Sequence, residues 1–502
     1  MSEKRDFDIA VVGGGISGSF AGATAASKGV DVVQIERKPR EQAGHIACGD
    51  AIKDPTNDRY YPGPIDMEAI AEDEDVLIDD NIDQIEWWDE ELEVKKVLEY
   101  SGSGSQVVDR YELGQNLLEQ ASEEGVEQHF DTVVNGVLQD DQVHGVEAIR
   151  DGVPVTYEAD LVIDAGGSLS TIMAETDFES LDADAESFIE QPHFDQFGSA
   201  YREVINTQEP VEYSNALVGK PLEETGYIWY FPRTDTEINA GLGFQMSEDP
   251  MNMIDVLADD LSGRPEFEEA EVDRIFEERN QLGAALSLRR PLDSMVAPGY
   301  ITVGCNAGVT HPISGKGIRG AAVTGYSAGK HGAEAILNDE DGFISEKDLW
   351  DHNHFIYVEH GLGTRIASKD PYNIAATNTG MENVRALVAM LPEEEISNVV
   401  SANTEEGLGY QNISNMLNEG LENAWHHYRS GSFEKLDTTK REVLGTMRDF
   451  LWTAKYASEL QEHYQDYPES REGFEEWLDE RNEIDDKLNS RLGIEGSERK
   501  YA

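Results

Sequence analysis

The chain runs to 502 residues, is 39% hydrophobic and carries 46 glycines, which excludes a disordered polymer and a single simple core. Its 101 Asp and Glu against 39 Lys and Arg leave a formal net charge of −62, which argues against nucleic acid as a partner in dilute salt. Two cysteines exclude a disulfide framework and fit a reducing cytoplasm.

The acids recur at 71–83, 207–213, 264–279 and 473–486 instead of forming a tail. Spread in this way they suit a halophilic chain, because the Debye length falls to about 3 Å in molar salt and self-repulsion is screened. An ordinary acidic protein with an unusual partner is the alternative. No run of eighteen apolar residues occurs, and "MSEKRDFDIAVV" enters a strand without a signal-peptide core. The expected location is cytoplasmic, soluble or peripheral to a membrane.

In chain order, "FDIAVV" (7–12) reads as a buried parallel strand, the glycine-bounded segment 13–29 as a helix, and "VDVVQIE" (30–36) as the next strand. Together they form a βαβ unit. A strand pair is expected over 129–150 with a turn at Asp140-Asp141, and "DLVIDAGG" (160–167) is an apolar strand ending in glycines. Alternation through "GSAYREVIN" and "GYIWYFPRTDTEINAGLGF" predicts an antiparallel sheet, inserted as a substrate domain. "GYITVGCNAG" (299–308) leads through a glycine-rich loop into a helix over 317–337, and Leu444, Met447 and Leu451 recur at helical spacing in the last 160 residues. The expected domains are 1–184 with an excursion at 55–105, an antiparallel sheet at 185–285, a return to the first domain at 286–340, and a helical region at 341–502.

Gly13, Gly15 and Gly18 form GxGxxG between a strand and a helix. Gly13 permits the turn, Gly15 lets a pyrophosphate approach the backbone, and Gly18 lets the helix pack closely, with Ser17 in the same first turn. Glu36 ends the second strand where an acid accepts ribose hydroxyls, which disfavours a 2′-phosphate although Arg37 and Lys38 follow. FAD and NAD both remain open on this motif. Tyr227, Trp229 and Phe231 alternate and so share a face, as a pocket wall or as sheet core. His45 and His311 stand where they serve either as proton donors or as structural groups. No CxxC or HExxH pattern points to a metal.

The unit "FDIAVVGGGISGSFAGATAASKGVDVVQIERK" followed by "AGHIACGDAI" resembles the geranylgeranyl reductase family of FAD-dependent enzymes, which shares its fold group with the flavin hydroxylases. "GYIWYFP" with "INAGLGF" resembles the family's aromatic substrate signature, and "VGCNAGVTHPISGKGI" (303–318) its second flavin motif. The resemblance spans about residues 7–340. It implies an α/β fold with a Rossmann-like FAD-binding domain, an inserted substrate sheet and a helical C-terminal region.

It also implies roles. Gly13, Gly15, Ser17, Gly18, Glu36 and Arg37 would hold the ADP half of FAD; Ala47, Cys48 and Gly49 would pass the flavin ring; Arg110, Gln115 and Val134 would reach the cofactor from other elements. Cys305, Asn306, Gly315, Lys316, Gly317 and Ile318 would face the flavin's ribityl chain and pyrimidine edge, with Tyr227, Trp229 and Phe231 lining the substrate pocket and Cys48 as proton donor or pocket wall. Two departures stand out. Cys305 replaces the usual Asp of the second flavin motif, with Asn306 as its expected substitute, and Gly166 occupies the place of an expected Asp.

The implied activity is reduction of isolated carbon–carbon double bonds in isoprenoid chains of an archaeal membrane lipid. The electron donor would be a ferredoxin or a reduced nicotinamide or deazaflavin. Two rivals stand beside it: a flavin monooxygenase of the same fold, and a flavin or lipid binder without catalysis.

Overall fold

The computed structural model describes residues 3–44, 46–99, 105–181, 183, 188, 196–246, 252–268, 271–272, 282–339, 342–400, 410–435 and 438–493. His45 lies outside them. The chain opens with β1 (Glu3–Val12), α1 (Ile16–Ser27) and β2 (Val32–Ile35), the expected βαβ unit, with β1 and β2 parallel from Ile9↔Val32 to Val12↔Ile35. Ile9, Ala10, Val11, Val33 and Ile35 are buried, as a strand covered on both faces requires. Residues 51–108 form β3 (Ala51–Lys53), β4 (Leu77–Ile82), β5 (Gln84–Asp89), β6 (Val94–Glu99) and β7 (Ser105–Val108), before α2 (Arg110–Glu123) and β8 (Glu127–His129). The hairpin expected over 129–150 is β9 (Thr132–Gln139) with β10 (Val143–Arg150), and β11 (Val153–Asp164) pairs parallel with β1.

A second sheet is built from β12 (Phe197–Asn206), β13 (Ala216–Pro221), β14 (Gly226–Pro232) and β15 (Glu237–Gln245), followed by α3 (Met253–Ser262), β16 (Glu271–Val272) and β17 (Leu282–Ser287). Its order is β16-β12-β15-β14-β13-β5-β6, with β17 also on β12. Residues 84–99, within the expected excursion at 55–105, extend this sheet, and β13 runs parallel to β5, so the sheet is mixed where an antiparallel one was expected. One face packs Ile228, Tyr230, Ile238, Ala240 and Leu242 against Leu257 of α3. The opposite face carries Tyr227, Trp229 and Phe231.

The chain then returns to the first sheet with β18 (Val296–Ala297), β19 (Tyr300–Thr302) and the long α4 (Ile318–Asn338). Helices α1 and α4 touch through small residues: a Cβ on Gly325 would lie 2.2 Å from the Ser17 carbonyl oxygen. The C-terminal region is helical, with α5 (Asp370–Thr379), α6 (Met381–Met390), α7 (Tyr410–Ser430), α8 (Lys440–Gln465) and α9 (Phe474–Leu492). A buried ionic cluster clamps it to the first domain. Arg290 meets Asp485 at 3.0 and 2.8 Å, Arg481 meets Asp485 at 2.5 Å and Asp293 at 2.7 Å, and the Tyr464 hydroxyl donates to Asp293.

Candidate active site

The glycine loop is shaped by steric contacts. Gly13 has φ +120°, and a Cβ there would meet the Ala165 carbonyl at 2.3 Å; a Cβ on Gly18 would sit 2.0 Å from the Gly13 oxygen. Gly15 differs, since a Cβ there would meet nothing within 4 Å, and this residue caps α1 without a side-chain bond. The first-turn amides of α1 therefore face open space approachable by a phosphate group. Ser17 is wedged beneath, its Oγ 2.8 Å from where a Cβ on Gly304 would fall.

Glu36 orients itself through the backbone: Gly14 N–H donates to Oε2 at 2.6 Å and Lys38 N–H to Oε1 at 2.8 Å. A carboxylate with two oxygens still has acceptor capacity for hydroxyls. Thr132 N–H donates to the Glu36 carbonyl at 3.0 Å, which puts Val134 two residues along the neighbouring strand. Arg37 is exposed. Gln115 braces the preceding loop, donating to the carbonyls of Arg40 (3.1 Å) and Ala43 (2.7 Å) and receiving the Arg40 guanidinium. Its amide is occupied there.

The segment 46–50 is held against the aromatic strand. Asn239, fully buried on β15, donates to the Cys48 carbonyl and to Asp50 Oδ2, both at 2.8 Å, and accepts from Trp229 Nε1 at 3.0 Å. Asp50 is buried with φ +64°, donates its backbone N–H to Cys48 Sγ at 3.3 Å, and meets Arg233 at 2.6 Å; Arg233 also reaches Glu237 and Asp109. A Cβ on Gly49 would strike the Phe231 ring at 2.6 Å, while Ala47 and Cys48 are half-buried beside it. Tyr227, Trp229 and Phe231 follow one another with ring centroids 6.1 Å apart. Trp229 is buried and the other two are half-buried. Burial pushes the Cys48 thiol above its ordinary range, with Arg110 opposing, so the sulfur keeps its proton at neutral pH.

The loop 305–318 closes the other side. Tyr227 donates its hydroxyl to the Ser314 carbonyl at 3.1 Å, and Cys305 Sγ lies 3.3 Å from Thr310 Oγ1. Gly315 has φ +66°, Gly317 caps α4 without a side-chain bond, and Ile318 begins the helix. Lys316 opens to solvent, yet the protein around it, and then Arg319 and Lys53, lower its ammonium to about 8. His311 is fully buried; its Nδ1 accepts from the Ser314 N–H at 3.2 Å, and burial followed by Lys369 and Lys316 drives its pKa well down. A neutral brace of the turn is the role this geometry supports for His311.

Sequence reasoning missed Asp164, although it stands inside "DLVIDAGG". It is fully buried and accepts from Ser170 (2.6 Å), Tyr300 (2.9 Å), Asn306 Nδ2 (2.7 Å) and the Gly166 N–H (3.0 Å). Asn306 also donates to Thr302 at 3.0 Å. Asn306 Nδ2 is thus engaged with the core. The acid absent at Gly166 stands two residues earlier, facing inward. Asp50, Arg233 and Asn239 were also missed, because no motif marks them.

Arg110 is buried, stands close enough to Cys48 and Tyr61 to influence both, and leaves Nε and Nη1 without a hydrogen-bond partner among the described residues. A buried guanidinium in this state requires a polar or anionic group beside it. With the open face of Gly15 and the tethered Glu36, it makes the residues present a good fit for a dinucleotide.

The family model for FAD dependent oxidoreductases matches residues 8–277. The chain belongs to this family of FAD-binding oxidoreductase enzymes. It is similar, at 26% identity over 395 residues covering 74% of this chain and 77% of the relative, to digeranylgeranylglycerophospholipid reductase from Sulfolobus acidocaldarius. Its fold is similar to that of a geranylgeranyl bacteriochlorophyll reductase-like protein from Thermoplasma acidophilum, with a TM-score of 0.63 and 19% identity over 85% of this chain and 98% of that one. The myxobacterial chondrochloren halogenase also shares it, with a TM-score of 0.56 and 16% identity over 94% and 99%.

Proposed function

We propose that this FAD-dependent oxidoreductase saturates isolated double bonds in the geranylgeranyl chains of an archaeal glycerophospholipid, as the name of its Sulfolobus relative suggests. The observation that carries the reading is the aromatic row Tyr227–Trp229–Phe231, hydrogen-bonded at one end to the 305–318 loop and through Asn239 to Cys48. Reduced flavin, when bound, supplies the hydride for such a reaction. The rest is the work of the chain. Gly13, Gly15, Gly18 and Glu36 would hold the ADP half; Arg110, Cys305 and the 315–318 turn would border the flavin, where the start of α4 and Lys316 would favour negative charge.

An unactivated alkene offers no oxygen to polarise, so the aromatic row aligns the chain and excludes water. Cys48 Sγ holds the proton for the second alkene carbon. The electron donor is of low potential, a ferredoxin or a reduced nicotinamide or deazaflavin. The setting is a halophilic cytoplasm, with the lipid met at a membrane surface.

The test is anaerobic. Holoenzyme in molar KCl is bleached with stoichiometric dithionite and mixed with a geranylgeranyl glycerophospholipid, and the flavin absorbance should return once per bond reduced. Flavin that stays bleached until oxygen is admitted overturns the proposal in favour of a monooxygenase, and a chain that retains no flavin overturns it in favour of a binder.

A further inference from the structure

Most buried arginines of this chain hold a partner. Arg264 meets Glu266 at 2.6 Å, Arg290 and Arg481 share Asp485, and Arg289 donates to the Asn306 carbonyl. Besides Arg110, already placed at the dinucleotide, one stands apart: Arg202 on β12. It is 5% exposed, its Nε is fully enclosed without a hydrogen-bond partner, and no acid among the described residues pairs with it. Its neighbour Glu203 lies on the other face of the strand, where it accepts from the Tyr201 hydroxyl at 2.6 Å. Tyr201 belongs to the core under α3, so the alternation of a strand turns Arg202 to the opposite face, the one that carries the aromatic row.

In register across the sheet, Trp229 pairs with Gly241 and Gly241 with Arg202. A Cβ on Gly241 would lie 2.3 Å from the Trp229 ring, so the indole covers the glycine and spans part of the way to β12. With neighbouring strands about 4.8 Å apart, the Arg202 backbone stands about 10 Å from that of Trp229. The rungs on either side, Gly243 with Ala200 and Asn239 with Val204, bring no charge. Arg202 also acts on the Cys48 thiol, pulling it down against the burial that raises it, which puts the guanidinium near segment 46–50. Asp50, the acid acting on the same thiol, is already taken by Arg233 at 2.6 Å and Asn239 at 2.8 Å.

A buried cation without a counter-charge is costly, and a fold retains one where a ligand supplies the charge. The planar fork of arginine matches two oxygens of a phosphate. We infer that Arg202 seats the headgroup phosphate of the lipid, from which the isoprenoid chain runs along the Tyr227–Trp229–Phe231 row. The seat rests on the glycerophospholipid reading for the identity of its anion. Arg202 lies on the substrate sheet and on none of the elements that carry the glycine loop, Glu36 or the 305–318 turn, which favours the substrate over the cofactor's pyrophosphate. Molar salt screens surface pairs and largely spares an enclosed one.

The probe is a glycerophospholipid with fully saturated isoprenoid chains, which offers no bond to reduce, beside the same lipid without its phosphate. Binding to FAD-loaded protein in molar KCl is followed by the change in flavin absorbance. Wild type should bind the phosphorylated lipid at least roughly tenfold more tightly, Arg202→Met should bring the ratio within about twofold, and Arg202→Lys should recover part of it. Lipid-free Arg202→Met holoenzyme should melt no lower than wild type, because an uncompensated buried charge is removed and the stem is replaced. A ratio that survives in Arg202→Met overturns the inference. A lower melting temperature does so too, since it marks a structural partner, and so does a lowered flavin midpoint potential with the ratio intact, which assigns the guanidinium to the reduced flavin. An Arg202-dependent ratio in a protein that reduces no unsaturated lipid leaves the seat standing and sinks the proposed activity. Equal affinity of the wild type for both lipids, with the unsaturated lipid reduced, sinks the seat alone.

Discussion

Replacing Asn239 by Ala removes a junction. The variant loses a bond to the anionic Asp50, about 1.5–3 kcal/mol, and one to the neutral Cys48 carbonyl, about 0.5–1.5 kcal/mol. It also leaves the buried Trp229 N–H without its acceptor, costing about 1–3 kcal/mol. Allowing for relaxation, the loss is about 3–5 kcal/mol. It falls on the contact between segment 46–50 and the aromatic strand, so local opening of that segment rises before global unfolding does. The assay is the rate of Cys48 modification by a disulfide reagent in a Cys305→Ser background. We expect it to rise at least roughly tenfold, since each 1.4 kcal/mol of easier opening is a factor of ten, with a shifted flavin spectrum. An unchanged modification rate and spectrum would show that Asn239 does not position the segment, and the reasoning fails.

Three further outcomes are expected. Gly15→Ala should fold with wild-type stability, because φ is −83° and a Cβ meets nothing, yet lose FAD affinity; Gly18→Ala should lower the melting temperature of the apoprotein, and equal melting of the two would contradict the steric account. Burial raises the Asp485 carboxyl but is outweighed by Arg290 and Arg481, which bring it down to about 2. A lowered acid contributes stability above its unfolded pKa of roughly 4 and loses it as pH falls toward 2. Asp485→Asn should therefore cost about 3–5 kcal/mol at pH 7 by leaving buried arginines uncompensated, with a smaller acid dependence in urea melts; parallel pH profiles would argue against the pairing. For Cys48, whose thiol is raised, ultraviolet titration in the Cys305→Ser background should place ionisation above the ordinary thiol range, with stability flat below that range and falling above it.

Much of the fold was legible because its signals are local. Glycine spacing and buried strands mark the first βαβ unit, and alternation marks β14 and its aromatic face. What escaped is what needs distant partners. Alternation in 84–99 reports which side chains share a face and not which strand lies alongside, so nothing in it disclosed pairing with β13. Asp164 takes its meaning from Tyr300 and Asn306, each more than 130 residues away. Gln115 owes its bonds to the close approach of Gly44 to Gly114, which brings the 40–43 loop within its reach. The glycines lie between β1 and α1, Glu36 follows β2 and the aromatic row shares one face of β14, while Asn239, Asp50 and Arg233, which tie the row to Cys48, have no motif.

The central claim is that this cleft adds hydrogen across isolated isoprenoid double bonds. The most direct measurement is mass spectrometry of a geranylgeranyl glycerophospholipid after anaerobic incubation with FAD-loaded protein and dithionite in molar KCl. The account predicts successive gains of about 2 Da per bond, the mass of a hydride and a proton, lost when the Tyr227–Trp229–Phe231 row is replaced by alanines. An unaltered lipid under anaerobic conditions, with a gain of about 16 Da when oxygen and reductant are supplied together, would contradict it and assign the cleft to oxygen transfer.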